Sequence, residues 1–259
     1  MLTLANGQTL SPNGTLLQSK IKRQVKPKSG YILYQGPSVL DGAPIVVIAT
    51  MSTTNEKTGN MVQTWIMRDD ISPLEASAAS LDSSVCGMCP HRTSLKGACY
   101  VTLHQAPLAV WKAYKNNKYK WLDAGDYQHF SNRSVRLGSY GDPAAVPFKV
   151  WANITSISQN FTGYTHQLKH KNFDVRLTTL CQVSVDTEAQ AKHAQKAGYK
   201  TYRVKTENMR VLDGEIVCLA DTMGISCIEC GLCNGQQANI TINVHGRSKN
   251  RFDKFERII

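Results

Sequence analysis

Apolar residues in the first half of the chain fall into short runs rich in β-branched side chains. The runs at 44–51 and 61–67, PIVVIATM and MVQTWIM, are separated by a polar, turn-forming stretch. This pattern predicts two strands of a hairpin that opens an ordered domain near Gly30. Ser72 and Glu75 then flank a proline with the spacing of a capping box, which predicts a short helix to about residue 80.

From about residue 133 the pattern changes to an alternation of strands and helices. Strands are predicted at 134–138, 161–166, 175–185, 199–204, 215–219 and 239–244, and helices at 142–158 and 187–197. Strands that alternate with helices over short connections predict a mostly parallel sheet with right-handed crossovers. Five or six such units indicate an α/β fold, a partial or irregular (β/α) barrel preceded by the β-hairpin.

Four of the eight cysteines lie close together near the end of the chain, at Cys218, Cys227, Cys230 and Cys233. The last three form a C-x2-C-x2-C run, a spacing that lets thiolates converge on one centre. Iron–sulfur clusters are often held by three cysteines in such a run with a fourth from elsewhere, whereas zinc sites more often use two separated pairs. The spacing therefore favours a 4Fe-4S cluster, with zinc as the alternative.

Cys86, Cys89 and Cys99 make a second candidate set of metal ligands. A helix predicted over 100–117 would begin directly after Cys99, where the helix dipole would lower the pKa of that thiol. The fourth ligand is either His91, which would give a zinc-like Cys3His set, or an open position that binds a small molecule on a cluster. The remaining interpretation is that these cysteines have a purely structural role and tie the loop to the helix. Cys181 lies within a predicted strand and is expected to be a buried apolar residue.

Polar residues follow several of the predicted strands. In parallel α/β sheets, functional residues lie beyond the carboxyl ends of the strands. We therefore predict one rim that gathers the candidate catalytic residues Arg136, Asp142, His166, Asp186 and His245. The same rule places Arg203 at this rim and makes the cysteines after Cys218 its neighbours. Asp142 and Asp186 also stand where helix caps are expected.

The chain has 259 residues, 42% hydrophobic content and a net charge of +11. No apolar run approaches the roughly 18 residues of a membrane span, and the first residues lack the features of a signal peptide. We therefore expect a cytoplasmic protein without a membrane partner, in which cysteines favour metals over disulfides. Basic runs at 20–28, 112–120 and 247–251 would suit nucleic acid or an anionic substrate, and solvated surface is the alternative interpretation.

These features divide the chain into three segments. Residues 1–30 have little periodicity and are predicted to form a basic N-terminal arm. Residues 31–246 are predicted to form a single α/β metal-binding domain. Residues 247–259 are predicted to be a basic C-terminal tail.

Four motifs together resemble a group of bacteriophage-encoded cysteine-rich proteins. They are C-x2-C-P at 86–90 with G-x-C-Y at 97–100, RLGSYGDP at 136–143, GYTH at 163–166, and C-x8-C-x2-C-x2-C at 218–233. Their layout, with cysteines before and after a run of β/α units, is similar to that of radical S-adenosylmethionine enzymes, whose C-x3-C-x2-C loop is absent here. The resemblance implies a place in the cytoplasm of a bacterial host and S-adenosylmethionine as a cofactor.

Three hypotheses about function follow. The first is an iron–sulfur enzyme of redox or radical type, with one or two 4Fe-4S clusters and an unidentified small-molecule substrate, for which the positive charge favours an anion. The second is a zinc-stapled nucleic-acid-binding protein that uses its basic segments. The third is an electron-transfer or redox-sensing module without an open site.

Overall fold

A computed structural model describes residues 29–246 and 249–256. It also gives the backbone of three short strands before them, β1 (Leu2–Thr3), β2 (Thr9–Leu10) and β3 (Leu16–Leu17), which pair antiparallel. The rest of the predicted N-terminal arm up to residue 28 lies outside the described residues. So do residues 247–248 and 257–259 of the predicted tail.

Ten further strands form one sheet. They are β4 (Gly30–Pro37), β5 (Pro44–Thr50), β6 (Val62–Arg68), β7 (Lys120–Trp121), β8 (Ser134–Tyr140), β9 (Asn160–Thr165), β10 (Gln182–Val185), β11 (Thr201–Lys205), β12 (Glu215–Val217) and β13 (Asn239–Asn243). Their order across the sheet is β12-β13-β11-β10-β9-β8-β6-β5-β4-β7. Only the two pairings made by β5 are antiparallel. The predicted α/β class with mostly parallel strands is confirmed, and the sheet is not closed, because β12 and β7 lie at its edges.

Short helices connect these strands. They are α1 (Pro73–Ala78), α2 (Ser83–Cys86), α3 (Ala106–Lys115), α4 (Phe148–Thr155), α5 (Glu188–Lys196), α6 (Leu219–Thr222), α7 (Cys227–Cys230) and α8 (Lys249–Glu256). Turns of 3-10 helix cover Thr93–Leu95, Tyr127–His129, Pro143–Ala145 and Val175–Thr179. No helix within the described ranges has both the length and the apolar content needed to cross a membrane.

The predicted hairpin is confirmed as the antiparallel pair β5 and β6. Ile45, Val47 and Ala49 are fully buried, and so are the residues between them, so both faces of β5 are covered. A strand covered on both faces reads as a continuous apolar run, which explains its sequence. The predicted capping box is also present at the start of α1, where Ser72 and Glu75 bond each other's backbone.

The predicted strand–helix–strand unit around Thr187 is confirmed as β10, α5 and β11, with β10 and β11 parallel. The side chain of Thr187 caps α5 by accepting a hydrogen bond from the backbone N–H of Gln190. The buried alanines of α5 belong to the same apolar cluster as Val183 and Val185. This unit fixes the position of Asp186, which lies between strand and helix.

Prolines explain where the predicted helices were placed wrongly. The helix expected from residue 100 begins instead at Ala106, because Pro107 has no N–H to donate and fits only the first turn. The helix expected over 142–158 is interrupted before Pro147 and resumes as α4 at Phe148. The strand predicted over 175–185 is wrong in its first half, because Val175–Thr179 form a 3-10 turn capped by Asp174 and only Gln182–Val185 form β10. Cys99 therefore does not lie at a helix N-terminus.

Arg203 does not lie at the predicted rim. It lies within β11, and its side chain points away from the face to which Tyr202 and Val204 contribute. The guanidinium is 1% exposed and makes two hydrogen bonds to Glu215 of the edge strand β12, at 2.7 Å from Nε and 2.6 Å from one terminal nitrogen. Arg203 therefore belongs to a buried ion pair that holds the edge of the sheet.

The connection from β12 to β13 carries the second cysteine set. Because these two neighbouring strands are parallel, the chain must return along the sheet between them. It does so through α6 and α7, each of four residues. The backbone N–H of Cys227 donates to the carbonyl of Lys57, and the carbonyl of Cys233 accepts from Gly163 in β9. The cysteines are thus held against the sheet.

Helix α8 places part of the predicted C-terminal tail in the folded unit. Its Phe252 is 1% exposed and stacks on the ring of His91, with 5.4 Å between ring centroids. The neighbouring Lys249 and Arg251 are exposed. The helix therefore uses an apolar residue to cover the region around His91 and presents basic residues to solvent.

Candidate metal and substrate site

Two neighbouring cavities lie on one face of the sheet. The first cavity has a volume of about 180 Å³, and the second has a volume of about 80 Å³. The two linings have four residues in common, Tyr100, Tyr164, Tyr202 and His245. In β11 the lining residues Tyr202 and Val204 are two positions apart, as expected for side chains on one face of a sheet. The cavities therefore share an aromatic wall.

The first cavity contains Cys86, Cys89 and Cys99 in its lining. Cys86 ends α2, and the loop that follows returns on itself, because the backbone N–H of Cys99 donates to the carbonyl of His91 at 2.9 Å. Gly97 permits this return, since a Cβ atom at that position would lie 2.5 Å from the backbone of His91. The local fold thus brings together three cysteines spread over fourteen positions of the sequence.

Burial disfavours the charged form of these thiols. It raises the pKa of Cys86 well above its ordinary value and raises the pKa of Cys99 to about 11. The prediction of a lowered pKa for Cys99 is therefore wrong, because the helix dipole on which it depended is not there. A buried thiol of this kind ionises readily only when a cation compensates the charge.

His91, His166 and Asp186 form a compact group beside these cysteines, and both histidines line the first cavity. Oδ1 of Asp186 lies 2.7 Å from Nε2 of His91 and 3.4 Å from Nε2 of His166. Burial alone would lower the pKa of His166, but Cys89 and Asp186 outweigh it and hold that pKa well above its ordinary value. The predicted residues His166 and Asp186 are thus brought together.

The imidazole next to the cysteines is His166, whose pKa the neighbouring Cys89 raises. His91, the predicted fourth ligand of a Cys3His set, lines the same cavity, and its Nε2 lies 2.7 Å from Oδ1 of Asp186. The contact between His91 and Asp186 joins residues 95 positions apart, which local spacing could not reveal.

Asp142 lies in the lining of the first cavity, but its carboxylate is occupied by the protein itself. One oxygen caps the 3-10 turn by accepting from the N–H of Ala144 at 3.0 Å. The other accepts from the backbone N–H of His166 at 2.8 Å and from the amide of Gln167 at 3.0 Å. Asp142 is therefore a positioning residue that fixes the segment carrying His166.

Asp142→Ala is expected to lower the free energy of unfolding by about 2–4 kcal/mol, because three donors lose a buried charged acceptor. Asp142→Asn keeps the shape and one acceptor oxygen, so its loss should be about half as large. Urea denaturation followed by circular dichroism measures both. Equal stability of wild type and Asp142→Ala would show that the carboxylate does not hold this segment.

The second cavity is lined by Cys218, Cys227, Cys230 and Cys233. The side chain of Tyr164 makes a hydrogen bond with Cys233. Burial raises the pKa of Cys227, and it raises the pKa of Cys233 to about 12. All four cysteines of the C-terminal motif thus face one small space.

Arg136 also lines the second cavity, whereas the sequence placed it at the rim with the histidines. Its guanidinium donates to the hydroxyl of Tyr100 at 2.5 Å and lies 5.6 Å from the centre of the Tyr164 ring. It lies close enough to Cys227 to interact electrostatically. Arg136 is in none of the ion pairs found within the described ranges. It therefore brings a positive charge to the thiols of this cavity.

His245 lies in the wall between the two cavities. Its ring stacks on Tyr100 with 5.5 Å between centroids, and its Nδ1 lies 3.1 Å from the carbonyl of Asn243. Tyr164 and Tyr202 pack on each other in the same wall, with 4.3 Å between centroids. Sequence reasoning did not give Tyr100 or Tyr202 a role. Tyr202 could have been found from its position in β11, which places it on the same face as Tyr164 of β9.

Cys181 lies apart from both cavities. It is 1% exposed and belongs to the main apolar cluster, so its assignment as a core residue is confirmed. It packs directly on Gly163, where an added Cβ would lie 2.5 Å from the sulfur.

Of the five predicted catalytic residues, Asp142, His166 and Asp186 lie around the first cavity, Arg136 lies on the second, and His245 borders both. Comparison of the chain with protein-family models, with curated proteins and with solved structures gives no match. The function of the protein is therefore inferred from the residues of the site.

Proposed function

We propose that the protein is an iron–sulfur enzyme that holds two thiolate-ligated clusters side by side. The observation that carries this proposal is the sorting of the cysteines. Seven of the eight line two adjacent cavities, three in one and four in the other, and the eighth is a core residue.

The second cavity fits a cluster with all four of its cysteine ligands. Four thiolates give a cluster site a negative charge, which the guanidinium of Arg136 would compensate. Thr162 adds a further observation. Its hydroxyl is buried on the sheet side of the second cavity and has no hydrogen-bond partner within the described ranges. A cluster there would give this hydroxyl an acceptor, since hydrogen bonds to sulfur are common around such clusters.

The first cavity fits a cluster with one open coordination position. It offers three thiols, and its volume is more than twice that of the second cavity. The extra space supports binding of a small substrate next to the cluster. A cluster bound there would supply redox chemistry, with the imidazole of His166 next to its ligand Cys89.

Sulfur spacing favours clusters over single zinc ions. Zinc with thiolate bonds of about 2.3 Å in a tetrahedral site needs sulfurs about 3.8 Å apart. No three cysteines in the described part of the chain bring their sulfurs within 4.8 Å of one another. A 4Fe-4S cluster holds its thiolates farther apart than a single zinc ion does, so clusters are the first candidate. The zinc-stapled nucleic-acid-binding protein is the second candidate, and the net charge of +11 supports it.

The proposal includes two further inferences that the fold and the motifs support. We infer that the sheet curves as a partial barrel, because strands β8, β9, β11 and β13 all contribute to the lining of the first cavity. The motif resemblance adds a bacteriophage origin and a radical-type reaction, with S-adenosylmethionine as the small molecule to test first in the first cavity.

Metal analysis tests the proposal. Protein purified without oxygen should be brown, contain iron and acid-labile sulfide in equal amounts, and give a paramagnetic signal after reduction. A colourless protein with stoichiometric zinc and no sulfide would contradict it. In that case, binding to nucleic acid that weakens steeply with salt would support the second candidate.

A further inference from the structure

We propose that His91, His166 and Asp186 form a binding site for a single divalent transition-metal ion, distinct from both cysteine sets. Their three ligand atoms lie within 4.8 Å of one another, and they are the one group of three or more such residues found in the described part of the chain. Two imidazoles and one carboxylate are the set that binds ferrous iron with open positions in many non-haem proteins, and imidazole also suits zinc.

One of the two donor distances is already that of a shared ion, and the other is slightly shorter. Two donor atoms that each lie about 2.0–2.2 Å from one ion are roughly 2.9–3.6 Å apart. The two Nε2 atoms lie 2.7 Å and 3.4 Å from the same oxygen of Asp186. Both nitrogens therefore lie close to one carboxylate oxygen, and a bound ion would need the Nε2 of His91 to move away from Oδ1 by a few tenths of an ångström.

Each ligand is fixed by its own segment of backbone. His166 follows β9 and its N–H donates to Asp142, whereas Asp186 follows β10 and its N–H donates to the side chain of Gln190. His91 is held by the returning loop and by the ring of Phe252. A site whose ligands come from three rigid segments needs little rearrangement to bind its ion.

Burial and access are also those of a metal site with exchangeable ligands. His91 and Asp186 are 8% and 7% exposed. The two histidines line the first cavity, so the remaining coordination positions would face its space. The carboxylate supplies one negative charge in this buried place, which a divalent cation would compensate.

This site shares the first cavity with Cys86, Cys89 and Cys99, but its existence does not depend on a cluster there. Cys89 is the thiol that contacts His166. An ion bound through His91 and His166 would therefore face the same cavity as a neighbouring cluster.

Titration with Co²⁺ alone tests the site, because cobalt reports its ligands by its colour. In the full-length protein, we expect a ligand-field spectrum of nitrogen and oxygen ligands that depends on His166 and Asp186. Any thiolate-bound cobalt is recognised separately by its intense sulfur charge-transfer band. Asp186→Asn and His166→Gln should weaken this binding more than about tenfold. Their matched controls Asp213→Asn and His193→Gln change exposed residues and should bind as wild type.

Circular dichroism of each variant shows whether it is folded, and Asp186→Asn keeps the shape of the side chain that it replaces. Binding that Asp186→Asn and His166→Gln leave unchanged would overturn the inference. So would cobalt that shows only sulfur charge transfer. Iron and sulfide are measured separately on the same preparation, so cobalt binding without a cluster would reject the proposed function alone, and a cluster without cobalt binding would reject the metal-ion site alone.

Discussion

Cys227→Ala is expected to lower the iron and sulfide content of anaerobically purified protein by about half, because it removes a ligand of one of two clusters. Cys89→Ala should lower both contents to the same extent through the other cavity. The physical reason is that the two cysteine sets line separate cavities that share only aromatic residues and His245. Iron, sulfide and electron paramagnetic resonance measurements on the two variants should give complementary spectra.

Cys181→Ala is the matched control for these variants. It removes a buried cysteine from the apolar core and should leave the iron and sulfide contents unchanged. Complete loss of iron in both Cys227→Ala and Cys89→Ala would indicate a single shared centre. Unchanged iron in Cys227→Ala would show that the C-terminal cysteines do not bind the metal.

Arg203→Met is expected to destabilise the protein by about 3–5 kcal/mol, because it leaves Glu215 buried and charged without its partner. The side chain of Glu215 is fully buried, and its carboxylate receives two hydrogen bonds from the guanidinium. Removing the arginine therefore leaves an unpaired negative charge buried between β11 and the edge strand. Urea denaturation of wild type and variant gives the difference in the free energy of unfolding.

The double variant Arg203→Met with Glu215→Leu separates two effects on stability, the loss of packing and the unpaired buried charge of Glu215. With both charges removed, stability should return towards that of wild type, since replacing a buried ion pair by apolar residues is often neutral or stabilising. If the double variant is less stable than Arg203→Met, the unpaired charge of Glu215 does not cause the loss of stability. Packing of the two side chains would then account for it.

Local patterns predicted the elements whose signals lie within a few residues of one another. The apolar run of β5, the capping box at Ser72 and the cap at Thr187 all depend on neighbours in sequence, and all are present. The strand β4 was missed, since its residues alternate poorly and it is ordered by pairing with β5. The late start of α3 follows from one proline, which the predicted boundary ignored.

The candidate site was predictable only in part. The rule for parallel strands brought His166 and Asp186 together, because they follow the neighbouring strands β9 and β10. The rule says nothing about the direction of a side chain within a strand, so Arg203 was placed on the wrong face. The pairing of His91 with Asp186 and the stacking of Phe252 on His91 depend on tertiary contacts that no local pattern records.

The short edge strand β12 has a consequence for self-association. It has three residues, and the connection that holds it contains two helices of four residues, far below the roughly 12 residues that an isolated helix needs. Ligation of the cysteines in that connection would therefore anchor the edge of the sheet. When β12 detaches, the hydrogen-bonding groups of β13 become a template for strands of other molecules. Loss of metal would thus replace a three-residue edge strand by the five-residue β13, which offers a longer surface for aggregation.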